Sequence, residues 1–443
     1  MSPLEYISQA IDGWDRYLAL TALSLALHWV LIKRWAVGVY DPMFLLLTSN
    51  VFGWSIVWFM FLRGDIATVY VASFTAAQLA LYAGIGVGRL FRSSSDPLQP
   101  PANDALVPKL TLCVAAVVHI ASTLAIWRLA GIPLFRESRL GAFLGSGGFG
   151  LVERLAESSA QIALFSAVYL FVQWRHMRRN MAVIAYLLWF LSTVALSGSK
   201  GALLSIGQFV LSILFVYGGL RLRTDRYWGG RSGKALILAA SLFAVAVLAF
   251  QQEGDVGLAG LGLLYRLVNY GDVYIFAYPD ATIESLKGSN PLVGMFGGFL
   301  STFRLFPQEL LHVSIGYQFT MLIFPDLDQI VGPNPQHPVF GYHYFGMFGF
   351  VFSFALGLLT VAVQTRFYFR RHSSFFVGLA AFMTYFALVS VSVDFDYSMS
   401  KLANVVIGLV VIVGPVLLLR PRAAIWHRRT RRAPAAAQTA GPA

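Results

Sequence analysis

The 443-residue chain is 57% hydrophobic and only 12% charged, against roughly 25% charged in an ordinary soluble domain, and that composition excludes a soluble globular protein. Its net charge of +12 would suit a polyanion, but most of the Lys and Arg lie in five groups beside apolar blocks: Lys33 to Lys109, Arg175 to Arg179, Arg221 to Lys234, Arg366 to Arg371 and Arg420 to Arg432. Bases placed this way follow the positive-inside bias, so the excess reports topology in a lipid bilayer and not a nucleic-acid partner.

Blocks apolar and long enough to cross a hydrocarbon core of roughly 30 Å fall at about 17 to 35, 43 to 62, 67 to 88, 110 to 130, 157 to 174, 181 to 197, 201 to 220, 235 to 251, 343 to 364, 374 to 392 and 402 to 419. They predict an all-α polytopic membrane protein with the N-terminus outside and the basic tail inside. Apolar runs at 256 to 268, 288 to 303 and 318 to 331 extend the expected range from eleven spans to fourteen. Residues 1 to 420 read as a single transmembrane domain, and 421 to 443, basic and then rich in Ala and Pro, as a disordered cytoplasmic tail held by charge. Met1 to Arg16 carries three acids and no small-residue cleavage site behind a basic start, so no cleavable signal peptide is expected. The single cysteine, Cys113, lies in an apolar block and excludes an intramolecular disulfide or a Cys-rich metal site.

Between the eighth and ninth blocks runs the longest polar segment, 252 to 342. It holds Glu253, Asp255, Asp272, Asp280, Glu284, Glu309, Asp326 and Asp328 against only three bases, Arg266, Lys287 and Arg304. Loops of that length in compact proteins are usually functional, and this one is expected to form short helices roofing a site on the membrane domain. As drawn, no span contains an interior Asp or Glu, which disfavours a proton-coupled transporter. No carboxylate cluster is convincing as a divalent-metal site; Asp326-Leu-Asp328 and Asp394-Phe-Asp396 come nearest. No metal and no cofactor is expected.

Outward-facing bases run against the topogenic bias, and Arg136, Arg139, Lys200, Arg266 and Arg304 are the exceptions. An anionic ligand at the outer interface explains them together, because the guanidinium fork suits bidentate phosphate contact. The glycines of Gly145 to Gly150 allow backbone N–H groups to approach such a ligand closely. Ser197-Gly-Ser-Lys200-Gly201 holds Lys200 in a tight bend. Gly332-Pro-Asn-Pro-Gln-His337-Pro, followed by His343, Gly346 and Gly349, is the densest constrained polar run before a span; His337 or His343 is read as a general base or as a donor to phosphate or sugar. Gly346 and Gly349 are expected to make one small face for close helix contact. Tyr317, Tyr342 and Tyr344 are candidates for stacking on sugars.

Taken together, these features resemble the bacterial O-antigen polymerases of the Wzy type. Arg139, ten intervening residues and Gly150 are similar to the Arg-x10-Gly motif of that family's periplasmic loops. Arg304 to Gly316 is similar but one residue longer. Ser199-Lys200-Gly201 resembles a Ser-Arg-Gly/Thr element opening a span, with Lys for Arg, and His337 with Gly346-Met-Phe-Gly349 resembles a His and Gly-x-x-Gly run before a late span, with Pro338 where Asn is usual. The resemblance implies a class C glycosyltransferase fold in the bacterial inner membrane, with a long periplasmic loop and a periplasmic, metal-independent site. It implies undecaprenyl-pyrophosphate-linked glycans as donor and acceptor, and admits a polysaccharide chain-length regulator as a further partner. Arg136, Arg139, Lys200, Arg266 and Arg304 would then hold the pyrophosphate, Arg304 acting with His337 or His343 at the reacting centre. An O-antigen ligase shares that donor, and a lipid-linked glycan transporter shares the membrane setting; both stay open as alternatives.

Overall fold

The structure, a computed structural model, describes residues 3–91, 105–135, 150–174, 180–197, 202–217, 269–287, 290–325, 332–370, 372 and 374–419. Within these residues every regular element is a helix. They are α1 (Pro3–Asp12), α2 (Trp14–Trp35), α3 (Pro42–Arg63), α4 (Thr68–Leu90), α5 (Leu106–Ala130), α6 (Gly150–Gln173), α7 (Met181–Leu196), α8 (Ala202–Tyr217), α9 (Asp272–Ala277), α10 (Pro291–Thr302), α11 (Ile315–Ile323), α12 (His337–Phe345), α13 (Gly349–Tyr368), α14 (Phe375–Leu388) and α15 (Phe395–Gly408), which runs on to Leu419 through a π-helical turn. Among the described residues 7 helical stretches are long and apolar enough to cross a membrane, and α7, α8, α10 and α14 are shorter apolar helices. The protein is therefore an all-α, multi-pass membrane protein. The span expected at 235 to 251 and the tail from 421 lie outside the described residues.

Local chemistry sets the boundaries. Asp41 caps α3 by accepting from Met43 N at 3.1 Å, Pro42 occupies the first turn, and Gly64, at φ +84°, closes the far end. Two glycines decide how α4 meets α13. A Cβ on Gly84 would lie 2.2 Å from Phe354 O, and one on Gly357 would lie 2.3 Å from Leu81 O, so the backbones touch as small-residue membrane contacts allow. α15 packs beside α6 in the same direction, with Gly408 against Ser158 and Asn404 against Arg154.

The segment expected as an outer loop does form short helices. Part of it enters the bundle: a Cβ on Gly271 would lie 2.9 Å from Ile56 Cδ1, so residues 269–271 sit at the middle of α3. This single 3₁₀ turn leaves backbone groups outside any α-helical ladder, and inside the bundle they need internal hydrogen-bond partners. Buried Gln336 supplies one, donating to Tyr270 O at 2.7 Å while accepting from Tyr274 Oη at 2.8 Å.

Three sequence expectations are corrected. The span drawn from 343 begins earlier, as α12 from His337, and is interrupted by Gly346 at φ +56° before α13 resumes at Gly349. Gly349 packs closely, but against Gly341 of the adjoining α12, while a Cβ on Gly346 would meet nothing within 4 Å; the two do not form one contact face. Finally, acidic groups do enter the bundle. Asp41 is fully buried and accepts from Val37 N at 2.8 Å, Gln364 Nε2 at 2.7 Å and the Tyr385 hydroxyl, while Glu157 lies within α6.

Candidate functional site

Where the inserted segment meets α3, α6, α7, α8, α14 and α15, the chain lines an open cavity of about 420 Å3. That size is within the range of ligand pockets, roughly 300–1,000 Å3. Its lining is mixed. Leu45, Leu46, Leu164, Phe209 and Phe386 are apolar, while Gln161, Tyr270, Asn334, Ser390, Asp394 and Lys401 bring polar and charged groups.

Both charged groups of the lining come from the start of α15. Asp394, Tyr397 and Lys401 are spaced i, i+3 and i+7, which places them on one helix face. Asp394 is the helix cap, accepting from Tyr397 N at 2.9 Å through Oδ1. Burial pushes its carboxyl above the usual carboxylate range, opposed by the Tyr397 amide and the charge of Lys401. Lys401 Nζ lies 4.2 Å from the centre of the Tyr397 ring, a cation–π contact that keeps the ammonium beside the cavity. Behind this face, Arg154 donates to Asn404 Oδ1 at 2.8 Å and Ser400 Oγ at 3.2 Å, and Asn404 donates to Glu157 Oε2 at 2.7 Å. This network ties α6 to α15, so Gln161, one and two turns further along α6, is held against the same cavity.

The residues singled out in the sequence distribute differently. His337 is buried, its backbone N donates to Ser392 O at 2.9 Å, its Nδ1 lies 2.8 Å from Ser353 Oγ, and its Nε2 has no partner. It pins α12 to α13 and to the turn before α15, and it lines none of the cavities described here. His343 is half-buried with its ring against Tyr344. Tyr342 donates to Glu284 Oε1 at 2.7 Å, and Tyr70 reaches the same oxygen at 3.4 Å. Tyr317 is half-buried on α11. Gly316, the end of the second Arg-to-Gly spacing, packs backbone to backbone on Gly332 and Pro333, and so fixes the strand of chain leading into His337.

Arg304 is exposed and holds a left-handed conformation at φ +58°. Its N–H bonds Ser301 O at 2.9 Å and that of Leu305 bonds Leu300 O at 3.0 Å, the pattern that closes a helix C-terminus. The structure therefore does not bring Arg304 to His337 or into the large cavity. Arg136, Arg139, Lys200 and Arg266 lie outside the described residues. Sequence reasoning weighed Asp394 and Asp396 only as metal ligands; the i, i+3, i+7 run of Asp394, Tyr397 and Lys401 was the legible signal for this wall.

A many-spanned helical protein with a cavity lined by both apolar and charged groups is the class that fold and site define. In comparisons with known proteins the chain matches no family model, no curated protein and no solved structure.

Proposed function

We propose that the chain is an O-antigen polymerase, a glycosyltransferase that joins undecaprenyl-pyrophosphate-linked oligosaccharide repeat units on the periplasmic side of the inner membrane. The observation that carries the reading is the large cavity, apolar along Leu45, Leu46 and Phe209 and charged at Asp394 and Lys401. A substrate that is part lipid and part charged glycan needs both surfaces within one site.

In this reading the acceptor hydroxyl oxygen bonds to the anomeric carbon of the donor sugar. The bond from that carbon to the pyrophosphate oxygen breaks, and undecaprenyl pyrophosphate departs with the bonding electrons. The hydroxyl proton passes to Asp394, whose raised carboxyl pKa makes it a better base than an ordinary aspartate. Lys401 faces the departing pyrophosphate and stabilises its growing charge, the electrostatic role that is usually the largest in such transfers. Arg139 and Lys200 remain part of the proposal through the sequence resemblance alone.

Purified protein in nanodiscs supplied with lipid-linked repeat units tests the reading. Longer glycans with release of undecaprenyl pyrophosphate are expected. Transfer only to lipid A core would assign a ligase instead, and movement across the bilayer without bond formation a transporter.

A further inference from the structure

Joining two glycans requires a place for each, and the large cavity accounts for one. A second cavity of about 180 Å3 lies between α10, α15 and the segment 311–314, lined by Gly294, Gly298, His312, Ser314, Tyr344 and Asp396 among others. It shares no lining residue with the large cavity, yet both are bounded by the start of α15. At about 100° per residue, Asp394, Tyr397 and Lys401 lie on one side of that helix, and Asp396 and Met399 on nearly the opposite side. The first turns of α15 are thus a wall between two cavities.

Their chemistries differ. The large cavity carries Lys401, whereas no Lys or Arg lines the small one, which has the Asp396 carboxyl instead. A phosphate finds no counter-charge there. A neutral polyol needs none: a carboxyl oxygen accepts hydrogen bonds from hydroxyls, and Ser314 and Tyr344 add hydroxyl groups of their own. Tyr344 and Phe299 supply ring surface, and the volume, below the roughly 300 Å3 at which drug-sized pockets begin, suits a single sugar ring. His312 and Ser314 are exposed, so the cavity is reached from outside the bundle. Glycines create the space: Gly294 accommodates the Tyr344 ring, with a Cβ falling 2.2 Å from its Oη, and a Cβ on Gly298 would meet nothing within 4 Å.

We infer that this smaller cavity is a saccharide site, binding an uncharged sugar of the acceptor glycan by its hydroxyls across the α15 wall from the lipid-pyrophosphate site. The inference rests on the polymerase reading for the role of acceptor; the sugar-binding chemistry stands on the cavity alone.

The test uses the full chain in nanodiscs and two probes: the free oligosaccharide released by mild acid from the producing cell's lipid-linked pool, and undecaprenyl pyrophosphate without sugar. Gly298→Trp places a ring in open space, so it blocks the cavity without a backbone clash. It is expected to weaken oligosaccharide binding about tenfold or more, while undecaprenyl pyrophosphate binding changes less than about twofold. His312→Ala, at an exposed position, and Asp396→Asn are expected to weaken the same binding and serve if Gly298→Trp does not fold. Oligosaccharide binding that is absent from the unaltered protein, or unaffected by all three substitutions, overturns the inference. A protein that binds the oligosaccharide through this cavity but never extends lipid-linked units overturns the polymerase reading and leaves the saccharide site standing.

Discussion

Asp394→Asn separates the two duties of one side chain. Asn keeps the Oδ1 that accepts from Tyr397 N at 2.9 Å, and Asn and Asp are nearly equal as helix caps, so α15 keeps its start and the protein its fold. What is lost is the basic carboxylate beside Lys401. General base catalysis contributes about 10²- to 10⁴-fold, so the rate of undecaprenyl pyrophosphate release should fall by that factor, about 2.7–5.5 kcal/mol in the barrier. The pH profile adds a check. Burial raises the Asp394 pKa, and a base works only when deprotonated, so the unaltered enzyme should gain rate as pH rises through that raised value and then level off. The variant should lack the climb. Release measured by mass spectrometry across a pH series decides it; a variant within about threefold of the parent, or one with the same profile, refutes the assignment.

Further predictions concern the frame and the residues set aside. Arg304→Gly replaces an exposed left-handed residue by the one that adopts φ +58° without strain, so thermal stability should hold or rise by up to about 1 kcal/mol while glycan growth is unchanged; lost growth in a folded variant would return Arg304 to the site. Gly357→Leu places a side chain where a Cβ already lies 2.3 Å from Leu81 O, so α4 and α13 must separate, at a cost above the roughly 1–3 kcal/mol of ordinary overpacking, and the detergent-purified variant should aggregate on gel filtration. Burial pushes Asp272 up to about 7. A carboxyl whose folded pKa exceeds its unfolded value stabilises fully below the unfolded value and loses that contribution as pH rises through the folded one, so stability should fall between about pH 4 and pH 8, by up to about 4 kcal/mol, read as a falling melting temperature that falls less in Asp272→Asn.

Membrane class was legible because it depends on block length and composition alone. α3 was predicted at 43 to 62 and spans Pro42–Arg63, since Asp41, Pro42 and Gly64 mark its ends in the sequence. Insertion of residues 269–278 into the bundle was not legible: it depends on Gly53 and Gly271 meeting and on Gln336 bridging two distant stretches, neither of which leaves a periodic signal. The same limit hid the setting of His337. Its Pro- and Gly-rich surroundings read as an approach loop, yet Pro338 falls in the first turn of α12, where proline is tolerated, and the histidine is packed inside by Ser353 and Ser392. Asp394 and Lys401 were visible as residues; their shared helix face was there to be read, but the cavity they border is made by helices from the whole length of the chain.

The proposed chemistry requires the large cavity to hold a lipid pyrophosphate. Native mass spectrometry of the purified protein with added undecaprenyl pyrophosphate measures this, comparing the parent with Lys401→Glu. One lipid bound per chain in the parent, with occupancy about tenfold or more lower in the variant, is the predicted result. Equal occupancy in both, or none in either, would contradict it.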